Sequence, residues 1–536
     1  MIEHGNQLNN NMKFKELTDE IISKARGIYT DKEMSWDDRM KELMVLFGKS
    51  ERTVRKWCSE RLNFKEKLDI ESEHYEMAKK KKADKNQNRF IITWAQNNTG
   101  IHTNFFDNIK AYAEHIGADI HVIAGRYKNP TSVFSDREAD FWVDEVLPYL
   151  DANRHDIHKY LSIMSDIKIQ PTAINPMSGL QGMSGINSCV FGSPKVQMEM
   201  IPVLEGKKPK MMLTTGACTL MNYTDSKSGK HGEFHHTLGF VVVEIKDKET
   251  FFVRQVTAND RTGAFTDLFN KVENGEVKRI ETVAAAVLGD LHYGHHDQQV
   301  LDKTFELLDT LKPKHVVLHD VFDGDSISHH QMKDPFLQYG KEINGTNSLE
   351  KEINAMIEGL KPFQKFENVV IVRSNHDDFL DRWLKNEDWK KQPTSKNSLV
   401  YMEYSAMLLK QYAKNSGDVK GVIPEIINKH YPAFKTLGRR EAYTVKSWEL
   451  GQHGDIGASG TRGSLLQFRK LNTKIVVGHY HSPGRKDGAL AVGTSTNLRV
   501  GYNLGPSSWL QSHVLIHEDG KAQHINFIND EYTTLK

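Results

Sequence analysis

Residues 283–292 read Val283-Ala284-Ala285-Ala286-Val287-Leu288-Gly289-Asp290-Leu291-His292, six apolar residues and a glycine, then a carboxylate and an imidazole two positions apart. An apolar run of this length predicts a buried strand. Polar groups directly after it fall where open α/β sheets place their sites, beyond the C-terminal ends of strands. The construction recurs three times. A run at 315–318 precedes Asp320-Val321-Phe322-Asp323, one at 369–372 precedes Asn375-His376-Asp377, and one at 475–477 precedes Gly478-His479-Tyr480-His481. A fifth word, His453-Gly454, lies between the last two. Singly, such words arise by chance, and a lone histidine is more often packed or solvated. Their ordered repetition points to one site of oxygen and imidazole donors, a set that manganese, iron and zinc accept.

Order and spacing over roughly 282–527 resemble the calcineurin-like metallophosphoesterases, whose signature is Asp-x-His, Gly-Asp-x-x-Asp, Gly-Asn-His-Asp/Glu, a lone His, then Gly-His-x-His. The Asp320-Val321-Phe322-Asp323 form of the second word and the Gly-His-x-His-x-Pro form ending at Pro483 are similar to the SbcD nuclease branch. Protein phosphatases carry arginine after the second word, where this chain has Gly324. As a whole the chain also resembles early host-DNA-degradation proteins of large tailed coliphages.

The resemblance implies two divalent metal ions, manganese first, with magnesium, iron or zinc as alternatives. Carried onto matching positions, Asp290, His292 and His481 would hold one ion and Asn375, His453 and His479 the other, with Asp320 bridging. A bridging hydroxide would attack phosphorus, His376 would serve the leaving oxygen, and Asp323 would orient His376. Asp377 reads as a local structural group. Two positions depart from the pattern: His319 and Ser374 stand where the family has glycines, which suggests altered backbone angles and an added polar group near the metals. A degenerate, metal-free descendant is the competing reading.

The rest of the 536 residues is 38% hydrophobic with net charge +1, enough for ordinary cores, and no apolar run approaches a bilayer span. No membrane role is expected. Residues 1–11 have neither a basic nor an apolar leader region, and Cys58, Cys189 and Cys218 are isolated, which together fit a reducing cytoplasm, that of the host if the chain is viral. Residues 1–70 read as a helical, helix-turn-helix-like domain, with Gly48 between two helices and Ser50 as a cap. Arg52, Arg55, Lys56 and Arg61 on the second helix are candidate DNA contacts, against the alternative of a solvated basic face. Arg462, in the glycine-rich stretch after His453, is a further candidate, against a plain surface loop.

Residues 71–88, centred on Lys79-Lys80-Lys81-Lys82, read as a basic linker. Residues 89–278 read as an α/β domain of unassigned role opening β-α-β, and 279–536 as the phosphoesterase-like β-sandwich flanked by helices. The stretch Lys230-His231-Gly232-Glu233-Phe234-His235-His236 reads as a polar loop. The fold class is α/β throughout the two larger regions. The function expected is a two-metal-dependent DNA nuclease with DNA as partner, degrading host DNA during phage infection, and a homo-oligomer by analogy with the SbcD branch. Alternatives are a phosphatase or phosphodiesterase on nucleotides or proteins, and a DNA-binding regulator whose metal domain is inactive.

Overall fold

The computed structural model describes residues 13–31, 34–58, 62, 64, 73–84, 86–127, 140–391, 395–414, 417, 419–501 and 503–535. They form two compact units, 1–76 and 77–536, of mixed helix and strand overall.

In the first unit, helices Asp19–Thr30, Trp36–Phe47 and Glu51–Lys56 close around Ala25, Met40, Leu43, Phe47, Val54, Trp57 and Cys58. Gly48 ends the second helix in the left-handed region (φ 60°), donating its N–H to the carbonyls of Met44 and Val45, as a glycine C-cap does. Ser50 then stands at the N-cap of the third helix. The helix, glycine turn and helix anticipated from sequence are therefore present. Arg52 and Lys56 are exposed, whereas Arg55 is paired with Glu51 one turn earlier. Arg61 lies outside the described residues.

Among the described residues, the second unit is built on four sheets. The runs that opened the sequence reading become Ala285–Val287, His315–Leu318 and Val369–Ile371, parallel neighbours continued by Lys435–Thr436 on one side. Antiparallel Ser512–Ile516 and Ala522–Asn526 complete this six-stranded sheet. Its runs are apolar throughout because both faces are buried. Ala286, Val316, Leu318, Val369 and Ile371 pack with residues of helices Gln298–Leu311, Leu349–Leu360 and Val422–His430. Ala285, Val287, Val317, Val370 and Val514 pack instead with Trp448, Val476, Leu490 and Val492, which belong to or adjoin strands of a second sheet. Alternation along each strand thus makes a sandwich with helices on its outer side.

That second sheet has ten strands and crosses the boundary expected at 278/279. Its order runs from Thr444–Val445, Trp448–Glu449, Lys474–Val477, Ala489–Ala491 and Gly484–Lys486 into Gln197–Ile201, Lys210–Thr214, Ser188–Phe191, Leu161–Met164 and Arg154–His158. The junction is the antiparallel pairing of Arg485 with Met198. The far half is covered by a five-stranded sheet: Phe90, Ile92, Trp94, Val241 and Val253 form one core with Leu161, Ile163, Val190, Met211 and Leu213. The β-α-β opening is present, with Arg89–Gln96 parallel to Asp119–Gly125 and helix Thr103–Ile116 between them. Most of the stretch 230–236, expected as a polar loop, lies instead in a helix, Lys227–His235. Ser226 caps it through the Gly229 N–H, and Gly229 and Gly232 are buried, so small residues serve close packing rather than a turn. No helix among the described residues is long and apolar enough to cross a membrane.

Candidate metal centre

The five polar words converge from the two facing sheets. Asp290, Asp320 and Asn375 follow the parallel strands of the six-stranded sheet, while His453, His479 and His481 follow Trp448–Glu449 and Lys474–Val477 of the ten-stranded one. The first two loops are zipped together: the Leu291 N–H donates to the His319 carbonyl (3.1 Å) and the His292 N–H to that of Asp320 (2.7 Å). Gly289 allows the tight approach, since a Cβ there would lie 2.8 Å from the Thr494 backbone. Four site residues hold left-handed backbone angles: His292 (φ 42°), Asp320 (φ 45°), His479 (φ 75°) and His481 (φ 54°). Such conformations cost non-glycine residues free energy and persist where surrounding structure enforces them.

Asp290, His292, Asp320 and His481, all buried, bring one donor atom each within 4.8 Å of one another. His481 Nε2 is 3.0 Å from Asp290 Oδ2 and 3.1 Å from His292 Nε2, which in turn is 3.4 Å from Asp320 Oδ2. His453 Nε2 is 3.1 Å from the same Oδ2. His479 packs beside His453, ring centroids 5.3 Å apart. One oxygen of Asp320 is therefore near a histidine of each anticipated donor group. Asn375 is half-buried with a side-chain oxygen that meets no hydrogen-bond donor.

Both oxygens of Asp290 and both of Asp320 are buried without a hydrogen-bond partner, as is His453 Nε2. A buried carboxylate without donors is strongly disfavoured unless a cation faces it. In the protein alone, protons supply that charge. Burial opposes a charged His453, yet the Asp320 carboxylate overrides it and lifts the imidazole to about 9. The same balance, burial against Asp320, leaves His292 well above its usual range. Asp320, for its part, is held well below the usual carboxylate range, burial notwithstanding, by His453, His376 and His292. The donor set thus fits divalent cations, which would displace those protons.

The structure divides the role assigned to Asp323. Its Oδ1 lies 2.8 Å from His292 Nδ1 and 3.8 Å from His376 Nδ1, while its main-chain carbonyl accepts from His376 Nδ1 at 2.5 Å. The carboxylate mainly aims His292, and the carbonyl fixes the His376 tautomer. Ser374, in place of a glycine, accepts through Oγ from the N–H groups of His376 and Asp377, and the Ser374 N–H donates to Asp377 (3.0 Å). Asp377 is therefore a turn-forming group, as read from sequence.

His319, read from sequence as an added polar group near the metals, lies there, and two other residues escaped that reading. His319 is fully buried with Asp290 and His453 within donor range, and burial beside His453 lowers it to about 4. Its signal was its replacement of glycine. His295 Nε2 approaches Asp323 Oδ2 at 3.6 Å, and Trp509 packs edge-on to His481, centroids 4.1 Å apart. Neither belongs to a recognisable word. Arg462 is exposed and bridged to Ile456 in a loop anchored where the Tyr480 hydroxyl donates to the Gly454 carbonyl (2.9 Å).

Fold and site define a mixed α/β protein organised around a buried carboxylate–imidazole centre able to hold metal ions. Over 462 residues, 83% of this chain and 82% of the relative, it is 30% identical to Protein A1 of Escherichia phage T5. The chain belongs to the Protein A1 family. No protein-family model matches it, and no solved structure matches it.

Proposed function

We propose that the chain is a two-metal-dependent DNA nuclease of the calcineurin-like metallophosphoesterase type, acting in the infected host's cytoplasm. The observation that carries this reading is the pair of buried, donorless carboxylates Asp290 and Asp320, ringed by His292, His453 and His481. Asp290, His292 and His481 would hold one ion and Asn375, His453 and His479 the other, with Asp320 shared. Two bound cations would supply charge neutralisation on the phosphoryl oxygens and a water of lowered pKa.

The chain's own residues do the rest. Asp323 holds the His292 ring so that Nε2 faces Asp320 and His481. The Asp323 carbonyl keeps the proton of His376 on Nδ1, leaving Nε2 to serve the leaving oxygen. Burial holds His376 below its usual pKa, against the pull of the Asp320 carboxylate. DNA is favoured as substrate by Gly324 in place of the protein-phosphatase arginine, and by the exposed Arg52 and Lys56 of the helical unit.

The test is a substrate panel. Chelator-stripped protein, restored with Mn²⁺, Mg²⁺ or Zn²⁺, is offered linear duplex, circular duplex, single-stranded DNA, RNA and an aryl phosphodiester. Metal-dependent cleavage of DNA is expected. Turnover of the small ester alone would assign the site to a phosphodiesterase, and silence with every metal would assign the chain to a non-enzymatic role.

A further inference from the structure

The four lysines at 79–82 read from sequence as a linker, but the structure pins them to the folded unit. Asn153 Nδ2 donates to the carbonyls of Lys79 (2.6 Å) and Lys81 (3.0 Å), and the Ala152 N–H donates to the Ala78 carbonyl (3.2 Å). Asn153 is itself held by its N–H on Asp151 Oδ1 (2.9 Å). That carboxylate, wholly buried, also takes His155 Nε2 on Oδ1 (2.9 Å), and His121 Nδ1 (2.9 Å) and Ser165 Oγ (3.2 Å) on Oδ2. Burial opposes its ionisation, yet the two imidazoles and the Asn153 N–H keep it at about 2. Unlike the carboxylates of the metal centre it is fully partnered, so it works as an anchor. The chain of contacts runs from Asp151 through Asn153 to the main chain of the lysines.

Lys79, Lys80, Lys81, Lys82, Asn153, Arg154 and His155 line an open groove of about 710 Å³. Lys80 and Lys82 are exposed; of the acids nearby, Asp166 is paired with Arg154 (3.1 Å) and Asp119 stands beside Lys81, while Asp84 and Asp156 are exposed close by in sequence. Among the described residues no apolar side chain lines it, which disfavours a protein partner seeking a buried hydrophobic anchor. Cations on a fixed backbone suit a partner with closely and regularly spaced negative charge, and duplex DNA carries one such charge per roughly 1.7 Å of axis.

We propose that this groove binds the phosphate backbone of DNA, as a contact separate from the metal centre and from the helical unit. The proposal rests on the reading of the chain as a DNA-acting protein and adds where the substrate is held. Strand Arg154–His158 is the edge of the ten-stranded sheet, seven strands from Lys474–Val477, beyond which lie His479 and His481. At about 4.8 Å per strand this is roughly 34 Å across the sheet. Measured along the sheet, that path is about as long as one helical turn of duplex DNA.

The experiment measures binding of the full-length chain to a fluorescent duplex of about three helical turns, in chelator, between about 50 and 200 mM salt. The double variant Lys80→Gln/Lys82→Gln should bind ~10–100-fold more weakly at the low-salt end, with the slope of log K against log salt shallower by about 1.8. Asn153→Ala keeps every charge but frees the lysines, so it should weaken binding with little change in slope. Thermal melts confirm that each variant folds, and the double surface variant carries the test if Asn153→Ala does not. Wild-type affinity and slope in the double variant would overturn the proposal. A greater loss of affinity for poly-glutamate than for duplex would overturn it too, assigning the groove to an acidic protein. Chelator removes hydrolysis, so an inactive metal centre leaves this result unaltered, and a silent groove leaves the metal reading intact.

Discussion

The Nδ1 atom of His292 lies 2.8 Å from Oδ1 of Asp323, and both side chains are buried. A carboxylate on the far nitrogen fixes an imidazole's tautomer and direction, and losing such a partner costs metal affinity about 10–100-fold. Asp323→Asn should therefore weaken Mn²⁺ binding by that factor in calorimetry. His376→Ala, removing a ring that the Asp323 carbonyl orients and that belongs to neither proposed donor set, should keep Mn²⁺ affinity and lose turnover. Equal metal affinity in Asp323→Asn and wild type would show that His292 needs no such support.

Gly478 sits where a Cβ would come within 2.4 Å of Asp290 Oδ1 and 2.9 Å of the His319 ring. Gly478→Ala should displace Asp290, and the Mn²⁺-induced rise in melting temperature should shrink or vanish. An unchanged rise would mean that Asp290 does not hold metal in this position.

Away from the site, Arg254 is fully buried between Asp267, which it meets through two bonds of 2.8 and 2.9 Å, and Glu244, which also receives the Thr534 N–H (2.6 Å). Removing the cation strands two buried carboxylates. Arg254→Met should destabilise the second unit by about 3–5 kcal/mol, read by denaturant unfolding. A loss below about 1 kcal/mol would show that water or rearrangement replaces the guanidinium.

Glu352 accepts from the N–H (3.1 Å) and hydroxyl of Ser326, just beyond Asp323, and burial lifts its carboxyl from 4.5 to about 8. Between those values the folded state keeps a proton that the unfolded chain has released, so stability falls as pH rises. Glu352→Gln retains the shape without the titration. Its melting temperature relative to wild type should climb from pH 5.5 to 8.5, and a flat difference would contradict the raised pKa.

How much of this was legible beforehand follows from where the physics is local. The apolar runs ending in Asp290, Asp320, Asn375 and His479 announced themselves because strands buried on both faces need continuous apolar sequence, and metal-type donors must then come at strand ends. Gly48 and Ser50 marked a helix boundary through capping, also a local effect. The ten-stranded sheet did not announce itself: the pairing of Met198 with Arg485 joins residues almost three hundred positions apart, and no pattern in either strand names its neighbour. His295 and Trp509 were missed for the same reason, since each reaches the site through tertiary packing. The stretch 230–236 was misread because its polar residues show no apolar helical period, while the close packing of Gly232 on Thr172 and Tyr223 is tertiary.

The central claim is that the cluster around Asp320 holds two divalent cations that together cleave DNA. The most direct measurement titrates chelated protein with Mn²⁺ while following both bound metal and cleavage of linear duplex, in wild type and Asp320→Asn. Two ions per chain are predicted, with cleavage appearing as the second binds, and loss of both binding and cleavage in the variant. Cleavage that survives in chelator, cleavage undiminished in Asp320→Asn, or two bound ions with no turnover of DNA would contradict the account.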